Sequence, residues 1–268
     1  MRRKKSKRQQ VMPVLPNVFT TGNLSFGLLS ILTSIEIASA MGAGTASEAW
    51  VFRRFWWAGA FIVISFFFDT LDGRLARFIK HESSFGLSYD SISDIVSFGV
   101  APAVLIYVWT LMDKGKLGLM AVIVYVVCAA LRLARFNVQS GTVERFSFTG
   151  LPSPMAAGLM VSPLMLIASL KIMPDERVLW YYLVAAPVIG LLMVSNVKYT
   201  KQPALRLGGP FNALVVAAII IAAVITNPEI MFIFLVYLYA VAGLVLHALR
   251  YLTGKSAVQE ETGPGGTG

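Results

Sequence analysis

Long apolar stretches alternate with short polar links through most of the chain, from about residue 17 onward. A helix needs about 20 apolar residues to cross the hydrocarbon core of a bilayer. Eight stretches come close to or exceed this length, at about 17–41, 55–79, 89–112, 117–137, 152–171, 178–197, 211–226 and 230–252. The pattern predicts an all-α protein, a polytopic membrane bundle of about eight transmembrane helices.

Composition supports the same class of protein. Of the 268 residues, 56% are hydrophobic and 14% are charged, and the mean hydropathy is +0.70. A soluble domain carries about 25% charged residues. The single cysteine, Cys128, lies inside the fourth stretch, so that neither a disulfide framework nor a thiolate zinc site is available.

The distribution of Lys and Arg predicts the orientation in the membrane, because short cytoplasmic loops are enriched in these residues. An even number of crossings puts both termini on one side. On that side lie 17 of the 23 basic residues, including six in the N-terminal tail. Both termini are therefore expected in the cytoplasm, with the protein in the cytoplasmic membrane. The net charge of +9 then reflects topology and attraction to anionic lipids, and nucleic acid is not an expected partner.

Four aspartates interrupt the apolar segment from Phe66 to Phe98. They are Asp69, Asp72, Asp90 and Asp94. Each would cost about 2.5 to 3.5 kcal/mol at the centre of a membrane if it were unpaired. Their spacings of three and four residues place each pair on one face of its helix. Since a short link joins the two helices, the faces are expected to meet near the cytoplasmic end.

A divalent cation would neutralise such a cluster, because carboxylate oxygens suit Mg²⁺, Mn²⁺ or Ca²⁺. Two ions on a shared carboxylate set clamp a diphosphate for in-line displacement at phosphorus. Two other interpretations stay open at this point. Arg74 and Arg77 could pair with the acids in a buried ion network, or the acids could line a cation or proton pathway as they do in transporters.

Small residues stand between the acids and extend the pattern. The full set is Asp69, Asp72, Gly73, Ala76, Arg77, Gly86, Asp90 and Asp94, eight residues over 26 positions. This arrangement resembles the signature of the CDP-alcohol phosphotransferase family, with no departure in spacing. The resemblance implies an integral membrane enzyme that moves a substituted phosphate from a CDP-linked donor to an alcohol and releases CMP.

The resemblance also implies a role for each signature residue. Asp69, Asp72 and Asp90 would bind two divalent ions, Mg²⁺ or Mn²⁺, and Asp94 would be the catalytic general base and a candidate fourth metal ligand. Nucleotide binding would fall to Asp69, Gly73, Ala76, Arg77 and Gly86. The family further implies a six-helix core, commonly a homodimer, preceded by an amphipathic cytoplasmic segment.

Three further stretches resemble the phosphatidylserine synthase branch of the family. They read ALRLARFNV (130–138), FTGLPSPMAAG (148–158) and LLMVSNVKY (191–199). This branch implies CDP-diacylglycerol as donor, L-serine as acceptor, and phosphatidylserine with CMP as products. Another acceptor, such as glycerol 3-phosphate, inositol phosphate or choline, an archaeal-type lipid donor, and a cation or lipid transporter remain as alternatives.

The acceptor pocket is predicted from the same stretches. Arg132 and Arg135 could hold a serine carboxylate through paired hydrogen bonds, or could anchor the helix end at the interface. Asn137 and Lys198 are further candidates for the pocket. For Asn23, in the first span, the sequence leaves open whether it contacts a phosphate or only a neighbouring helix.

Four segments are expected along the chain. Residues 1–16 form the basic N-terminal segment and residues 17–200 the catalytic membrane domain. Residues 201–252 form two C-terminal transmembrane helices, and residues 253–268 a disordered, Gly-rich tail.

Overall fold

The computed structural model describes residues 14–79, 84–139, 148–199 and 226–252, and it is helical apart from one short strand pair. The first two helices are α1 (Val14–Gly42) and α2 (Glu48–Ile79). The third span contains α3 (Ser84–Asp94) and α4 (Ala101–Ile106). Then follow α5 (Lys116–Gln139), β1 (Phe148–Thr149), α6 (Ser153–Ser169), α7 (Glu176–Val194), β2 (Lys198–Tyr199) and α8 (Pro228–Leu252).

Within these described ranges, six helical segments are long and apolar enough to cross a membrane. The helix α6 is apolar but shorter. These segments confirm the prediction of an all-α membrane bundle. The predicted span at 211–226 lies outside the described residues, apart from Thr226, as do the N-terminal residues 1–13 and the tail 253–268. The count of eight spans, the orientation of the termini and the segment boundaries stay predictions.

The second span begins earlier than the hydropathy pattern predicts. We expected its start near Phe55, but α2 begins at Glu48. Arg54, inside these added residues, makes an ion pair with Glu36 of α1 at 2.8 Å. Its guanidinium also lies 5.2 Å from the centre of the Trp50 ring. Charges that are paired in this way at a helix end extend the helix beyond its apolar run.

The third span contains a wide helical turn of π type from Ile95 to Val100, directly after Asp94. Pro102 follows this turn and has no backbone N–H, so it cannot donate to the carbonyl of Phe98 as an α-helix requires. The hydroxyl of Tyr125 on α5 donates to that carbonyl at 2.8 Å. Tyr125 is fully buried, and its hydrogen bond therefore satisfies the carbonyl that the proline leaves open.

The bundle is organised around α6, most of whose side chains are buried. The strands β1 and β2 pair antiparallel and bring the end of α7 beside the start of α6. The helix α1 packs along α2 and against the third span. Gly27 marks the closest approach, because a Cβ there would lie only 2.8 Å from the Cα of Ser97.

Candidate active site

Three aspartates of the signature converge between α2 and α3. Asp69, Asp90 and Asp94 each offer one carboxylate oxygen, and these oxygens lie within 4.8 Å of one another. All three residues are half-buried. Asp90 and Asp94 are one helical turn apart and therefore share the face that α3 turns toward Asp69. A set of oxygen donors at this separation fits a hard divalent cation.

Asp72, the fourth predicted metal ligand, makes a different contact. It is 6% exposed, and its carboxylate accepts a hydrogen bond from the hydroxyl of Thr20 on α1. It remains within electrostatic range of Asp69 and Asp90. The four acids thus form one electrostatic group, of which three members make the close cluster and Asp72 connects the cluster to α1.

A buried asparagine of α1 donates a hydrogen bond to the acid cluster. Asn23 of α1 is 0% exposed, and its Nδ2 donates a hydrogen bond to Asp94 Oδ1 at 3.1 Å. Its backbone carbonyl accepts hydrogen bonds from the hydroxyls of Ser65 on α2, at 3.0 Å, and Ser97, at 2.9 Å. The sequence left the role of Asn23 undecided. The only hint in the sequence was a polar amide side chain inside an apolar span. In the structure this amide is the hydrogen-bond donor to Asp94.

The small residues of the signature differ in their surroundings. Gly73 is exposed, and a Cβ built on it meets none of the described atoms within 4 Å. It therefore does not serve as a close-packing glycine against a described helix, unlike Gly27. Gly86 lies in the first turn of α3 and is half-buried. Ala76 and Arg77 lie in the last turns of α2, and their side chains are outside the described part.

The two arginines of α5 point to different partners. Arg132 Nη1 donates to Ser153 Oγ at 2.5 Å, and the guanidinium interacts electrostatically with Asp69 and Asp94. Its Nε is buried and has no hydrogen-bond partner among the described residues. An unsatisfied buried donor is costly, and this one lies near the acid cluster.

Arg135 instead holds the end of α7. Its Nη1 donates to the carbonyl of Val194 at 3.4 Å and its Nη2 to Asn196 Oδ1 at 3.0 Å. These contacts satisfy a carbonyl of the last helical turn, which lacks an intrahelical donor. Two arginines that the sequence placed together on one helical face therefore have separate surroundings.

The remaining acceptor candidates are Asn137 and Lys198. Asn137 exchanges hydrogen bonds with Ser91 of α3, at 2.9 and 3.1 Å, and so connects the end of α5 to the helix that carries Asp90. Lys198 lies in β2, opposite Thr149, and its side chain is outside the described part.

Comparison with known proteins defines the class. Residues 13–192 match the sequence model of the CDP-alcohol phosphatidyltransferase family. The chain belongs to this family of membrane transferases, and the resemblance inferred from the signature is confirmed.

Several similar curated proteins are named CDP-diacylglycerol–serine O-phosphatidyltransferase, and another, from Methanothermobacter thermautotrophicus, is named archaetidylserine synthase and is 33% identical over 189 residues, covering 70% of each chain. The CDP-diacylglycerol–serine O-phosphatidyltransferase of Helicobacter pylori (strain ATCC 700392 / 26695) is 32% identical over 188 residues, which cover 69% of this chain and 71% of that protein. The enzyme of the same name from Methanocaldococcus jannaschii is 38% identical over 178 residues, covering 66% and 79%. That of Mycobacterium leprae is 32% identical over 262 residues, covering 93% and 80%.

Proposed function

We propose that this chain transfers the phosphatidyl group of CDP-diacylglycerol to the hydroxyl of L-serine, giving phosphatidylserine and CMP. The observation that carries the proposal is the convergence of Asp69, Asp90 and Asp94 between two membrane-spanning segments. Family membership supports the reaction class, and the names of the similar proteins support serine as the acceptor.

The reaction is a direct displacement at the phosphorus that carries the lipid. The serine oxygen forms a bond to this phosphorus, the bond to the CMP oxygen breaks, and the hydroxyl proton passes to Asp94. A positioned carboxylate is an effective base for a weakly nucleophilic hydroxyl. The Asn23 amide holds Asp94 Oδ1 and thereby leaves Oδ2 for the acceptor proton.

The acid cluster would hold two divalent cations, Mg²⁺ or Mn²⁺, with Asp69, Asp72, Asp90 and Asp94 as the available ligands. When bound, such ions neutralise the charge of the diphosphate and of the leaving CMP. Thr20 orients the Asp72 carboxylate, so that binding at Asp72 would replace or extend this hydrogen bond.

The nucleotide would lie along the open face of α2. Gly73 leaves room there, and Ala76, Arg77 and Gly86 complete the surface in the family signature. The carboxylate of serine would pair with Arg132, whose Nε is unsatisfied among the described residues. Arg135 contributes indirectly by fixing the end of α7.

We also propose that the site faces the cytoplasm in a homodimeric protein of the cytoplasmic membrane. The orientation follows from the excess of Lys and Arg on one side of the predicted topology. The ends of α2 and α5, which carry Asp69 and Arg132, lie on that side. The lipid tails of the donor would then remain in the bilayer while its headgroup reaches the acids.

A direct assay tests the function. Purified protein is incubated with CDP-diacylglycerol, Mg²⁺ or Mn²⁺ and one of a panel of alcohols: serine, glycerol 3-phosphate, inositol phosphate, choline or none. We expect CMP release to depend on serine and phosphatidylserine to accumulate. Asp94→Asn should abolish turnover, whereas Asp175→Asn, at the remote start of α7, should not. Serine that gives no more CMP than water would refute the acceptor, and solute flux without CMP would indicate a transporter.

A further inference from the structure

The helix α8 lies beyond the residues that match the family, yet it is built into the bundle beside the site. Its first turn is held by Glu229, which accepts a hydrogen bond from the indole N–H of Trp56 on α2 at 3.0 Å. Its middle is connected to α7 through the hydroxyls of Tyr237 and Tyr181. Val236 and Ala240 are 4% and 6% exposed, so α8 presents a buried face to the core.

The direction of α8 brings its second half toward the start of α6. Phe232 and Val236 lie against Gly158, where a Cβ would be 3.1 Å from Val236 Cγ2. Further along, α8 contacts β2, whose partner β1 immediately precedes α6. The two helices are therefore antiparallel, and residues after Val236 approach Ser153 at the beginning of α6.

Tyr239 stands at this level. It follows Val236 by three residues, a rise of about 4.5 Å on the same side of the helix, and it is half-buried. Tyr239 interacts electrostatically with Arg132, the residue that donates to Ser153 and also interacts electrostatically with Asp94. A tyrosine of α8 thus lies at the level of Ser153, within electrostatic range of the Arg132 guanidinium.

We propose that α8 forms one wall of the acceptor pocket and that Tyr239 is a positioning residue for Arg132. Tyr239 and Ser153 fix the guanidinium from two sides, so that its Nε N–H stays directed to the carboxylate of an amino-acid acceptor. This inference rests on the proposed function and deepens it. It assigns acceptor selection partly to a helix outside the family core.

The chemistry makes the role specific for acceptors that carry a carboxylate. A buried guanidinium with an unfilled donor gains a charge-assisted hydrogen bond only when an anionic oxygen arrives. An alcohol without a carboxylate, such as choline, gives Arg132 no such partner. Tyr239 should therefore affect the binding of serine and leave the donor nucleotide largely unaffected.

The test compares two tyrosines of the same helix in the full-length protein. Tyr239→Phe removes the hydroxyl near Arg132, and the matched control Tyr237→Phe removes the hydroxyl that contacts Tyr181. We expect Tyr239→Phe to raise the KM for serine about five- to tenfold, with kcat and the KM for CDP-diacylglycerol changed less than about twofold. Tyr237→Phe should leave the KM for serine unchanged and lower the melting temperature.

A second arm tests whether Tyr239 acts through Arg132. In an Arg132→Lys background, Tyr239→Phe should change the KM for serine less than about twofold, because the positioned guanidinium is absent. An equal effect in both backgrounds would overturn the inference. So would an unchanged KM in the single variant, or parallel changes in both KM values, which indicate a general structural role.

The wild-type arm separates this inference from the proposed function. Serine-dependent CMP release together with a normal Tyr239→Phe enzyme overturns the inference alone. Release of CMP only with alcohols that lack a carboxylate overturns the serine assignment and the role of Tyr239 with it.

Discussion

The side-chain amide of Asn23 donates a hydrogen bond to Asp94 across 71 positions of sequence, at 3.1 Å. The donor is fully buried on α1, and the acceptor belongs to the acid cluster at the end of α3. The backbone of Asn23 is fixed in turn by two serine hydroxyls. The proposed general base is therefore oriented by a helix outside the signature.

Replacing Asn23 with Leu should lower kcat about 10- to 100-fold, since a hydrogen bond to a charged group contributes about 1.5 to 3 kcal/mol. The KM for CDP-diacylglycerol should change little, because the proposed nucleotide surface consists of residues of α2 and α3 and none of α1. Steady-state CMP release measures both. Ser34→Ala, which removes a hydroxyl that donates to the carbonyl of Ser30 within α1, is the control. A kcat within about twofold of wild type for Asn23→Leu would contradict the role.

Chelation should remove activity and added Mg²⁺ or Mn²⁺ should restore it, because the proposed ions would neutralise the diphosphate and the leaving CMP and the acid charge that Arg132 offsets only in part. Asp69→Asn should increase the Mg²⁺ concentration needed for half-maximal activity by about tenfold or more, as expected on loss of one ligand charge. Titration of activity with Mg²⁺ checks this. Glu36→Gln, which alters an exposed ion pair with Arg54, should not shift the titration.

Substitutions of the two arginines of α5 should have different effects on the KM for serine and on stability. Arg132→Gln should raise the KM for serine at least about tenfold, because it removes the proposed partner of the carboxylate. Arg135→Gln should leave that KM near wild type and lower the melting temperature, since its contacts are with Val194 and Asn196. If both changes raised the KM for serine equally, the two arginines would form one shared anion-binding subsite. Such a subsite would favour a phosphorylated acceptor.

The same substitution at two glycines, Gly73 and Gly27, should affect nucleotide binding at one position and stability at the other. Gly73→Val should weaken binding of CDP-diacylglycerol with little loss of stability, since Gly73 faces open space among the described residues. Gly27→Val should destabilise the bundle, because its Cβ alone would lie 2.8 Å from the Cα of Ser97. Nucleotide binding and thermal unfolding, measured on both variants, distinguish the two effects. A Gly73→Val protein that binds nucleotide normally would remove this residue from the proposed nucleotide surface.

The sequence predicted the bundle and the meeting of the two acidic helix faces, of which three aspartates form the close cluster while Asp72 accepts a hydrogen bond from Thr20. Apolar length specifies a span, and intervals of three and four residues put Asp69 with Asp72 and Asp90 with Asp94. The hydrogen-bond partners of these acids could not be predicted from the sequence. Thr20 and Asn23 contact them only because α1 packs against two other helices. Spacing alone also could not separate Arg132 from Arg135, whose different contacts depend on where α6 and α7 end.

The start of α2 and the wide turn after Asp94 were missed for related reasons. Hydropathy treats Arg54 as a boundary, although Glu36 on the preceding helix compensates its charge. Pro102 signals a disturbed helix, but whether the chain breaks, kinks or widens depends on the hydroxyl that Tyr125 supplies from α5.

That wide turn divides the third span into two halves whose rotation is set separately. A wide turn holds one more residue than an ordinary one, and each residue of an α-helix turns the chain by about 100°. Deleting one residue between Ile95 and Val100 would therefore rotate α4, which precedes a second π-type turn at Tyr107–Leu111, about the axis of the span while Asp90 and Asp94 kept their place. The surface that this part of the span presents to its surroundings would then change without a change in the position of the acids.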